Sequence, residues 1–316
     1  MKIIIALGGN ALVRKNEKET YSNLLKNIQK TCSKVVKLIK NNKVVITHGS
    51  GPEVGNLLLQ NEIASKYVPE MPLHVLDAET EGLIGYLMQK ELANELTKNN
   101  IKKHIATLIT QTLVSKTDTA FQNPTKFIGR FYAEKEIKNL KFKVKKYSNN
   151  SYRRVVPSPK PIEIIESETI NRLVEKNYIV IANGGGGIPV IFENKKLKGV
   201  EAVVDKDLSS SCLGNQINAD LLLILTDVDK VYLNYGTKNQ IGLNKLNIND
   251  AKKYLDDGQF PDGSMGPKIR ASINFLEAFW KKPSGKNALK KRKVIITDIE
   301  NLEKTLKGKK GTIITR

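Results

Sequence analysis

Three glycine-rich segments contain residues that could bind a phosphate group. They are Gly8-Gly9-Asn10, Gly49-Ser50-Gly51 and Gly184-Gly185-Gly186-Gly187, and an apolar, strand-like run precedes each of them. Glycine permits positive φ angles and lets backbone N–H groups approach an anion closely, and a following helix adds its positive end. One such segment is usually a tight turn. Three of them at strand ends indicate phosphate binding.

The standard nucleotide-binding motifs do not account for these segments. The sequence contains neither the G-x-x-x-x-G-K-[ST] motif of P-loop proteins nor the G-x-G-x-x-G motif with a downstream acidic residue. The missing motifs disfavour both a Walker-type ATPase and a Rossmann dehydrogenase. The phosphate group must therefore be bound in another way.

Three lysines are candidates for stabilising a phosphoryl group in transfer, because that reaction needs cations placed around the migrating oxygens. Lys206 lies between two carboxylates, Asp205 and Asp207, which could orient it and keep it charged. A surface cluster of ion pairs is the structural alternative. Lys268 follows Gly-Pro at a predicted helix start. Lys126 lies in an irregular stretch, and composition alone does not assign it a role.

The pattern of apolar residues predicts the elements that position these groups. Short buried strands alternate with amphipathic helices, which is typical of a largely parallel sheet covered on both faces. In such a sheet the turns at the carboxyl ends of the strands meet at one crevice. The predicted strands are Lys2–Leu7, Lys43–Thr47, Lys103–Ile109, Tyr178–Ala182, Leu221–Thr226, Val294–Thr297 and Thr312–Thr315.

The length of 316 residues suits one compact α/β domain with an insertion. The stretch from Asp118 to Pro159 is polar and rich in lysine, and it lacks the pattern of a long helix or a core strand. We expect it to fold beside the main sheet. No repeat or linker divides the chain elsewhere.

The chain is strongly basic, with a formal net charge of +20 and a pI near 9.7. Only eight of the 52 basic residues are arginine, and the lysines are spread over all surface-like segments. The densest runs, Lys141–Lys146 and Lys286–Lys293, are weakly aromatic and carry no recognisable recognition-helix or single-strand-binding motif. We expect a solvated basic face and no specific nucleic-acid partner.

Neither a membrane segment nor a cysteine framework is predicted. No uncharged run approaches the ~18 residues of a membrane span, and Met1 leads directly into the first strand. The two cysteines, Cys32 and Cys212, lie far apart on helix-like segments, and we expect both in the core. These features predict a soluble, cytosolic protein.

Several motifs together resemble the carbamate kinases of the amino acid kinase family. They occur in order along nearly the whole chain: Ile5-Ala6-Leu7-Gly8-Gly9-Asn10-Ala11, His48-Gly49-Ser50-Gly51-Pro52-Glu53-Val54-Gly55, Met71-Pro72-Leu73, Asn123-Pro124-Thr125-Lys126, Arg154-Val155-Val156-Pro157-Ser158-Pro159, Gly184 to Pro189, Val204-Asp205-Lys206-Asp207 and Ser264-Met265-Gly266-Pro267-Lys268. The resemblance implies one domain over residues 1–316 with a three-layer αβα sandwich around a mostly parallel open sheet, a protruding lid at 118–159, and a homodimer. It also implies reversible conversion of carbamoyl phosphate and ADP into carbamate and ATP with Mg²⁺, in the ATP-forming direction of arginine fermentation.

The same resemblance implies roles for individual residues. Lys206 and Lys268 would stabilise the migrating phosphoryl group, Asp207 would orient them, Lys126 would reach in from the lid, and Asp227 would lie near the nucleotide. The phosphoryl donor and the small acid would be held by Gly8, Gly9, Asn10, Gly49, Ser50, Gly51, Gly184, Gly185, Gly186 and Gly187. The metal ligands are not identified. No general base is needed, because carbamate is already an anion.

The chain departs from the usual family pattern at several positions. Ser50 stands where Asn is more common, Glu53 and Glu81 stand where Gln is usual, and 148–152 replaces a Gly-rich stretch that contains Trp. Each could change phosphate or carbamate affinity or the shape of the lid. Alternatives within the fold are N-acetylglutamate kinase and uridylate kinase, but these place a lysine in the first glycine loop, where this chain has Asn10. A non-catalytic nucleotide-binding regulator with a basic surface is the alternative of another class.

Overall fold

The computed structural model describes residues 1–9, 12, 17–148, 150–280 and 292–316. Its strands are β1 (Lys2–Leu7), β2 (Lys43–His48), β3 (Ile105–Thr107), β4 (Gln111–Val114), β5 (Lys126–Tyr132), β6 (Val144–Ser148), β7 (Ser151–Val156), β8 (Pro161–Ile164), β9 (Ile179–Ile181), β10 (Ile188–Glu193), β11 (Lys196–Gly199), β12 (Leu221–Thr226), β13 (Val231–Leu233), β14 (Ile241–Leu243), β15 (Lys245–Asn247), β16 (Lys293–Asp298) and β17 (Thr312–Thr315). Its α-helices are α1 (Tyr21–Ile39), α2 (Gly51–Ala64), α3 (Leu73–Lys98), α4 (Ser167–Glu175), α5 (Lys206–Gln216), α6 (Ile248–Asp256), α7 (Met265–Trp280) and α8 (Leu302–Leu306).

The central sheet contains eight strands in the order β15-β17-β16-β12-β1-β2-β9-β3. All neighbours are parallel except β16 and β17. β1 is apolar on both sides because helices cover both faces of the sheet. Ile3 and Ile5 pack into the core with α1 and α3, whereas Ile4 packs on the other face with α5 and α7. The predicted mixed α/β fold with a mostly parallel sheet is confirmed.

Helix α1 shows how local sequence builds the outer layers. Its residues Ile28, Cys32 and Ile39 are buried on one face, as the three-and-four spacing predicts. Thr20 caps the first turn, since its Oγ1 accepts the backbone N–H of Asn23 at 3.3 Å. Cys212 differs from the prediction. It is half-buried at the edge of the core that Ile4 forms with α5 and α7, where its Sγ donates to the carbonyl oxygen of Ile162 at 3.5 Å.

In the described part of the chain, two smaller sheets lie outside the central one besides the pair β13-β14. The first has the strand order β11-β10-β4-β8, and the second, β5-β7-β6, lies within the insertion at 118–159. The sequence predicts no core strand there, yet Ile128 and Val156 of the small sheet are buried against Val54 and Leu58 of α2. Most residues of β5, β6 and β7 stay at least partly exposed, so these strands lack the continuous apolar run of a core strand.

The first of the two basic runs lies on the surface of the protein. Lys141, Lys143, Lys145 and Lys146 are all exposed around β6, whereas the run at 286–293 lies outside the described residues up to position 291. Within the described part of the chain, every helix is too short or too polar to cross a bilayer.

Candidate active site

The carboxyl ends of the central strands open into a cleft with a volume of about 330 Å³. Gly8 and Gly9 follow β1, Gly49 to Gly51 follow β2, and Asp227 follows β12. The cleft brings together residues that are far apart in sequence. The predicted site residues that line it are Gly8, Gly9, Gly49, Ser50, Gly51, Lys126, Gly185, Lys206, Asp207, Asp227 and Lys268. Asn10 lies outside the described residues.

Close approach of backbone explains the glycines at two of these positions. A Cβ on Gly8 would lie 2.7 Å from the carbonyl oxygen of Leu225, which accepts the N–H of Gly8. A Cβ on Gly185 would lie 2.4 Å from Oγ of Ser50, and the φ of Gly185 is +64°. Gly8 and Gly185 therefore cannot be replaced by larger residues without a shift of their neighbours or backbone strain.

The remaining glycines of the third segment do not line the cleft. Gly184 and Gly186 are buried behind Gly185. A Cβ on Gly187 would lie 2.3 Å from Oγ1 of Thr112, so this glycine is pressed against β4 instead. In the structure these three glycines shape the loop, and Gly185 is the member that reaches the cleft.

Asp207 holds two of the predicted lysines in place. Lys206 Nζ donates to its Oδ1 at 2.5 Å, and Lys268 Nζ donates to its Oδ2 at 3.0 Å. Burial alone would raise the pKa of Asp207, but the two ammonium groups outweigh it and hold the pKa well below its usual range. The carboxylate is therefore ionised at neutral pH, and it fixes two cations beside the cleft.

The pKa values of the two lysines that share this carboxylate shift in opposite directions. Burial lowers the pKa of Lys206 although Asp207 opposes the shift. For Lys268, burial also acts to lower the pKa, but the Asp207 charge outweighs it and raises the pKa. Lys206 begins α5 and Lys268 lies in the first turn of α7. Two helix starts thus direct their lysines at the same space.

Asp205 is a site residue for which the sequence suggested a different partner. Its Oδ2 accepts Lys126 Nζ at 3.0 Å, whereas Lys206 pairs with Asp207. Asp205 Oδ1 also caps α5 by accepting the backbone N–H groups of Asp207 and Leu208 at 3.0 and 3.3 Å. Its position before a helix start was the sequence signal for a cap, but the distant Lys126 could not be identified that way.

A second, smaller cavity of about 110 Å³ adjoins the cleft. Thr226, Asp227 and Lys268 line both cavities, so the two are neighbours. The additional lining is largely aromatic or apolar and includes Tyr232, Tyr235, Phe260, Pro261 and Met265. An aromatic and apolar lining next to a candidate phosphate-binding cleft suits a planar ring such as a nucleobase. Sequence reasoning missed Tyr232 and Tyr235, which belong to no recognisable motif.

Three carboxylates of the cleft, Asp205, Asp207 and Asp227, are the candidates for contact with a metal ion. Among the described residues, no three His, Cys, Asp or Glu side chains are grouped so that they could hold one. Mg²⁺ in phosphoryl-transfer sites needs only one or two protein carboxylates, because phosphates and waters supply the other ligands. Asp205 and Asp207 are each paired with lysine. Asp227, which accepts a hydrogen bond from Thr226 at 3.0 Å, is the better placed carboxylate for a nucleotide-bound ion.

The sequence as a whole is similar to known phosphotransferases. Residues 1–281 match the amino acid kinase family. The chain is 46% identical to carbamate kinase from Pyrococcus horikoshii, with 99% of both chains covered. It is 41% identical to carbamate kinase from Trichomonas vaginalis, also with 99% of both chains covered.

The fold is similar to that of a solved relative. The structure of carbamate kinase from Giardia lamblia bound to AMP-PNP superimposes with a TM-score of 0.90 at 41% sequence identity. The match covers 99% of this chain and 98% of the Giardia chain. The similarity therefore includes the central sheet, the smaller sheets and the cleft.

Proposed function

The chain belongs to the amino acid kinase family, and we propose that it acts as a carbamate kinase, which transfers a phosphoryl group reversibly between ATP and carbamate. Its relatives of that name match it over their full length. The observation that carries the proposal is the cluster of Lys126, Lys206 and Lys268 with two carboxylates at one glycine-lined cleft.

In the ATP-forming direction, the β-phosphate oxygen of ADP attacks the phosphorus of carbamoyl phosphate. The bond from phosphorus to the carbamoyl oxygen breaks, and carbamate leaves as an anion. The transfer needs positive charge around the phosphoryl oxygens and alignment of the attacking and leaving atoms. Lys206 and Lys268, fixed by Asp207, supply that charge from two sides in our proposal.

The backbone of the glycine segments binds the phosphate groups in this proposal. Gly8, Gly9 and Gly49 stand at the carboxyl ends of β1 and β2, and Gly51 begins α2, whose N-terminus favours an anion. Ser50 adds a hydroxyl group beside Gly185. The roles of these residues, and of Asn10, are proposals from their position and from the family resemblance.

The nucleotide is assigned to the Asp227 side of the cleft. The Giardia relative was solved with AMP-PNP, and the small aromatic cavity here could receive the base of ADP or ATP. Mg²⁺ would enter with the nucleotide, with Asp227 as its protein neighbour, and would neutralise phosphate charge. Because ATP and ADP are abundant in the cytoplasm, we place the reaction there. Its role in arginine fermentation stays a prediction from the resemblance.

A homodimer is part of the same proposal. Strand β3 is the edge of the central sheet, and the nearby side chains of Leu83, Tyr86 and Ile109 are 44%, 61% and 48% exposed. An apolar patch beside an open sheet edge is a surface that a second copy could cover. Sedimentation velocity of the purified protein would distinguish one chain from two.

The activity test compares three possible acceptor classes. Purified protein is incubated with ADP, Mg²⁺ and carbamoyl phosphate, and ATP is measured. N-acetylglutamate and UMP are tested separately with ATP. We expect ATP formation from carbamoyl phosphate and no phosphorylation of the other two. Turnover with only N-acetylglutamate or UMP would contradict the proposal, and nucleotide binding without turnover of any acceptor would favour a regulator.

A further inference from the structure

His48 is a buried histidine at the point where β2 ends and the second glycine segment begins. It is 0% exposed. In the sheet it pairs with Leu7 of β1, whose carbonyl oxygen accepts the backbone N–H of Gly49 at 3.1 Å. The residues that follow it, Gly49, Ser50 and Gly51, line the cleft. His48 therefore contacts the second glycine segment from the side of the core.

One ring nitrogen of His48 binds a backbone carbonyl group of this segment. Nδ1 lies 3.0 Å from the carbonyl oxygen of Gly49. A carbonyl oxygen can only accept a hydrogen bond, so Nδ1 carries the proton in this contact. Burial lowers the pKa of His48 to about 4, so the ring is neutral at physiological pH and its other nitrogen, Nε2, is an acceptor. The hydrogen bond to Gly49 therefore selects one tautomer of the ring.

The third glycine segment packs against the ring and restrains its orientation. A Cβ on Gly184 would lie 2.4 Å from Cε1 and 2.6 Å from Nε2 of His48. Only glycine lets the backbone come so close, and the imidazole is therefore held between the second and third glycine segments. Within the described residues, Nε2 is buried without a hydrogen-bond partner. A half-turn of the ring would put a carbon atom in place of Nδ1 and break the bond to Gly49.

The bond from His48 also sets the direction of the next backbone N–H group, that of Ser50. In a trans peptide the C=O and N–H groups lie in one plane and point in opposite directions. Because the carbonyl group of Gly49 points to the buried ring, the N–H of Ser50 points away from the ring, toward the cleft that both residues line. Among the described residues this N–H has no acceptor. It is a free donor in the wall of the cleft.

We propose that His48 is a positioning residue for phosphoryl transfer, which fixes the Gly49–Ser50 peptide so that the N–H of Ser50 is aimed at the phosphoryl oxygens in the cleft. The inference rests on the function proposed above and adds a residue that does not itself touch the substrate. A peptide next to glycine rotates easily, and a donor fixed in advance needs no reorientation when phosphate charge arrives. Because the donor belongs to the backbone, it is the same whether position 50 carries Ser or Asn.

The first experiment compares His48→Asn with His48→Leu, two side chains of similar size and branching. Asn places an N–H₂ group close to the position of Nδ1 and can donate to Gly49, whereas Leu has no donor. Both variants remove the ring from Gly184, so the difference between them reports the hydrogen bond. We expect kcat/KM for carbamoyl phosphate to be about tenfold to a hundredfold lower in His48→Leu than in His48→Asn, because the N–H of Ser50 is still present but is no longer aimed.

Two further readouts separate positioning from a purely structural role. The ADP dissociation constant, measured by calorimetry, should change less than about twofold in both variants, because the loss falls on the transition state and not on nucleotide binding. His104→Leu, the same substitution at an exposed histidine just before β3, is the control and should match wild type. Equal kcat/KM in folded His48→Asn and His48→Leu, or a loss of ADP affinity as large as the loss of kcat/KM, would overturn the proposal.

Nuclear magnetic resonance of the wild-type protein tests the geometry without a substitution. The ring ¹⁵N shifts of His48 should show a proton on Nδ1 and none on Nε2. Phosphonoacetamide, in which a methylene group replaces the bridging oxygen of carbamoyl phosphate, should move the Ser50 amide proton downfield, as expected for an N–H that gains a charged acceptor.

The outcomes of this measurement distinguish the two proposals, because it needs no turnover. A proton on Nε2, or a Ser50 amide that stays unmoved when the probe is bound, would overturn the inference about His48 even if both variants failed to fold. Failure of phosphonoacetamide to bind at all would instead contradict the proposed function, and with it the inference that rests on it.

Discussion

Asp207 is a buried carboxylate that binds two lysines of the cleft at once. It is 3% exposed, and each of its oxygens accepts a hydrogen bond from a different lysine. Without its charge, the ammonium groups of Lys206 and Lys268 would repel each other in a buried place. A network of this kind costs free energy in the absence of an anionic substrate and becomes most favourable when phosphoryl charge enters.

Replacing Asp207 should therefore affect turnover more than binding. Asp207→Asn keeps the size of the side chain but leaves one oxygen for two lysines. We expect kcat to fall by about 10² to 10³, which corresponds to about 3 to 4 kcal/mol for one preorganised electrostatic contact. Asp256→Asn, at an exposed position of α6, is the control and should match wild type. A folded Asp207→Asn protein with wild-type kcat would show that the lysine cluster is structural.

Glu53 offers a residue-level test of stability against pH. Its Oε2 is buried without a partner, and burial raises its pKa from 4.5 to about 7. Because the folded-state pKa is above the unfolded value, its contribution to stability is present below pH 4.5 and is lost as the pH rises through 7. The full loss in the free energy of unfolding is on the order of 3 kcal/mol.

Glu53→Gln should remove this loss. We expect urea unfolding at pH 5 and pH 8.5 to show a smaller drop in the free energy of unfolding for Glu53→Gln than for wild type. Glu81 and His48 also titrate in both proteins. The difference between the two proteins in how their free energy of unfolding changes with pH therefore isolates the contribution of Glu53. Parallel pH dependences would mean that the Glu53 carboxylate finds a partner or water in solution.

At the level of elements, the three-stranded sheet β5-β7-β6 brings Lys126 to a cleft built by the central sheet. Lys126 begins β5, and its ammonium group meets Asp205 at the start of α5. Its side chain remains 35% exposed, more than those of Lys206 and Lys268 at 12% and 13%. This position favours a lysine that acts on the substrate from the side of the small sheet. We retain 118–159 as a predicted lid.

Lys126→Ala should damage the use of carbamoyl phosphate far more than the binding of ADP. Closure of a lid excludes water from a hydrolysis-prone acyl phosphate, whereas the sheet-end residues hold the nucleotide. We expect a loss of about 10² or more in kcat/KM and little change in the calorimetric ADP dissociation constant. Lys146→Ala, exposed in the same small sheet, is the matched control. Equal losses of ADP affinity and turnover would argue against a lid function.

The elements also show what could be predicted from sequence and what could not. β1 and β12 begin and end at the predicted residues because their runs are buried on both faces. β17 also has the predicted bounds, although only Thr312 and Ile314 of it are buried. β3 is shorter than predicted, at Ile105–Thr107, since it lies at the edge of the sheet. Strands such as β5 are covered on one side by α2, and their weak alternation gave no usable signal. Long-range pairs, such as Lys126 with Asp205, depend on tertiary packing.

On the scale of the whole molecule, the positive charge is divided between local ion pairs and free surface. Some lysines pair with carboxylates, as where Lys2 and Lys43 both contact Glu175. Others, such as those around β6, are exposed. A field of this kind draws anions of any sequence or shape toward the surface and raises encounter rates with phosphorylated substrates. It does not provide the base contacts that sequence-specific recognition needs.

The net charge of +20 should therefore give only weak, sequence-blind binding of nucleic acid that disappears as salt rises. Contacts between lysine and phosphate release counterions, so the binding constant falls steeply with salt, and non-specific dissociation constants are about 10⁻⁴ to 10⁻⁶ M at physiological salt. Fluorescence anisotropy with labelled oligonucleotides of two unrelated sequences, at about 50 and 200 mM salt, would measure both properties. Replacing Lys145 and Lys146 together by Gln should flatten the salt dependence without changing carbamoyl phosphate turnover, because these exposed residues lie outside the cleft. Tight binding at physiological salt, or a strong preference for one sequence, would instead identify a dedicated nucleic-acid site on this surface.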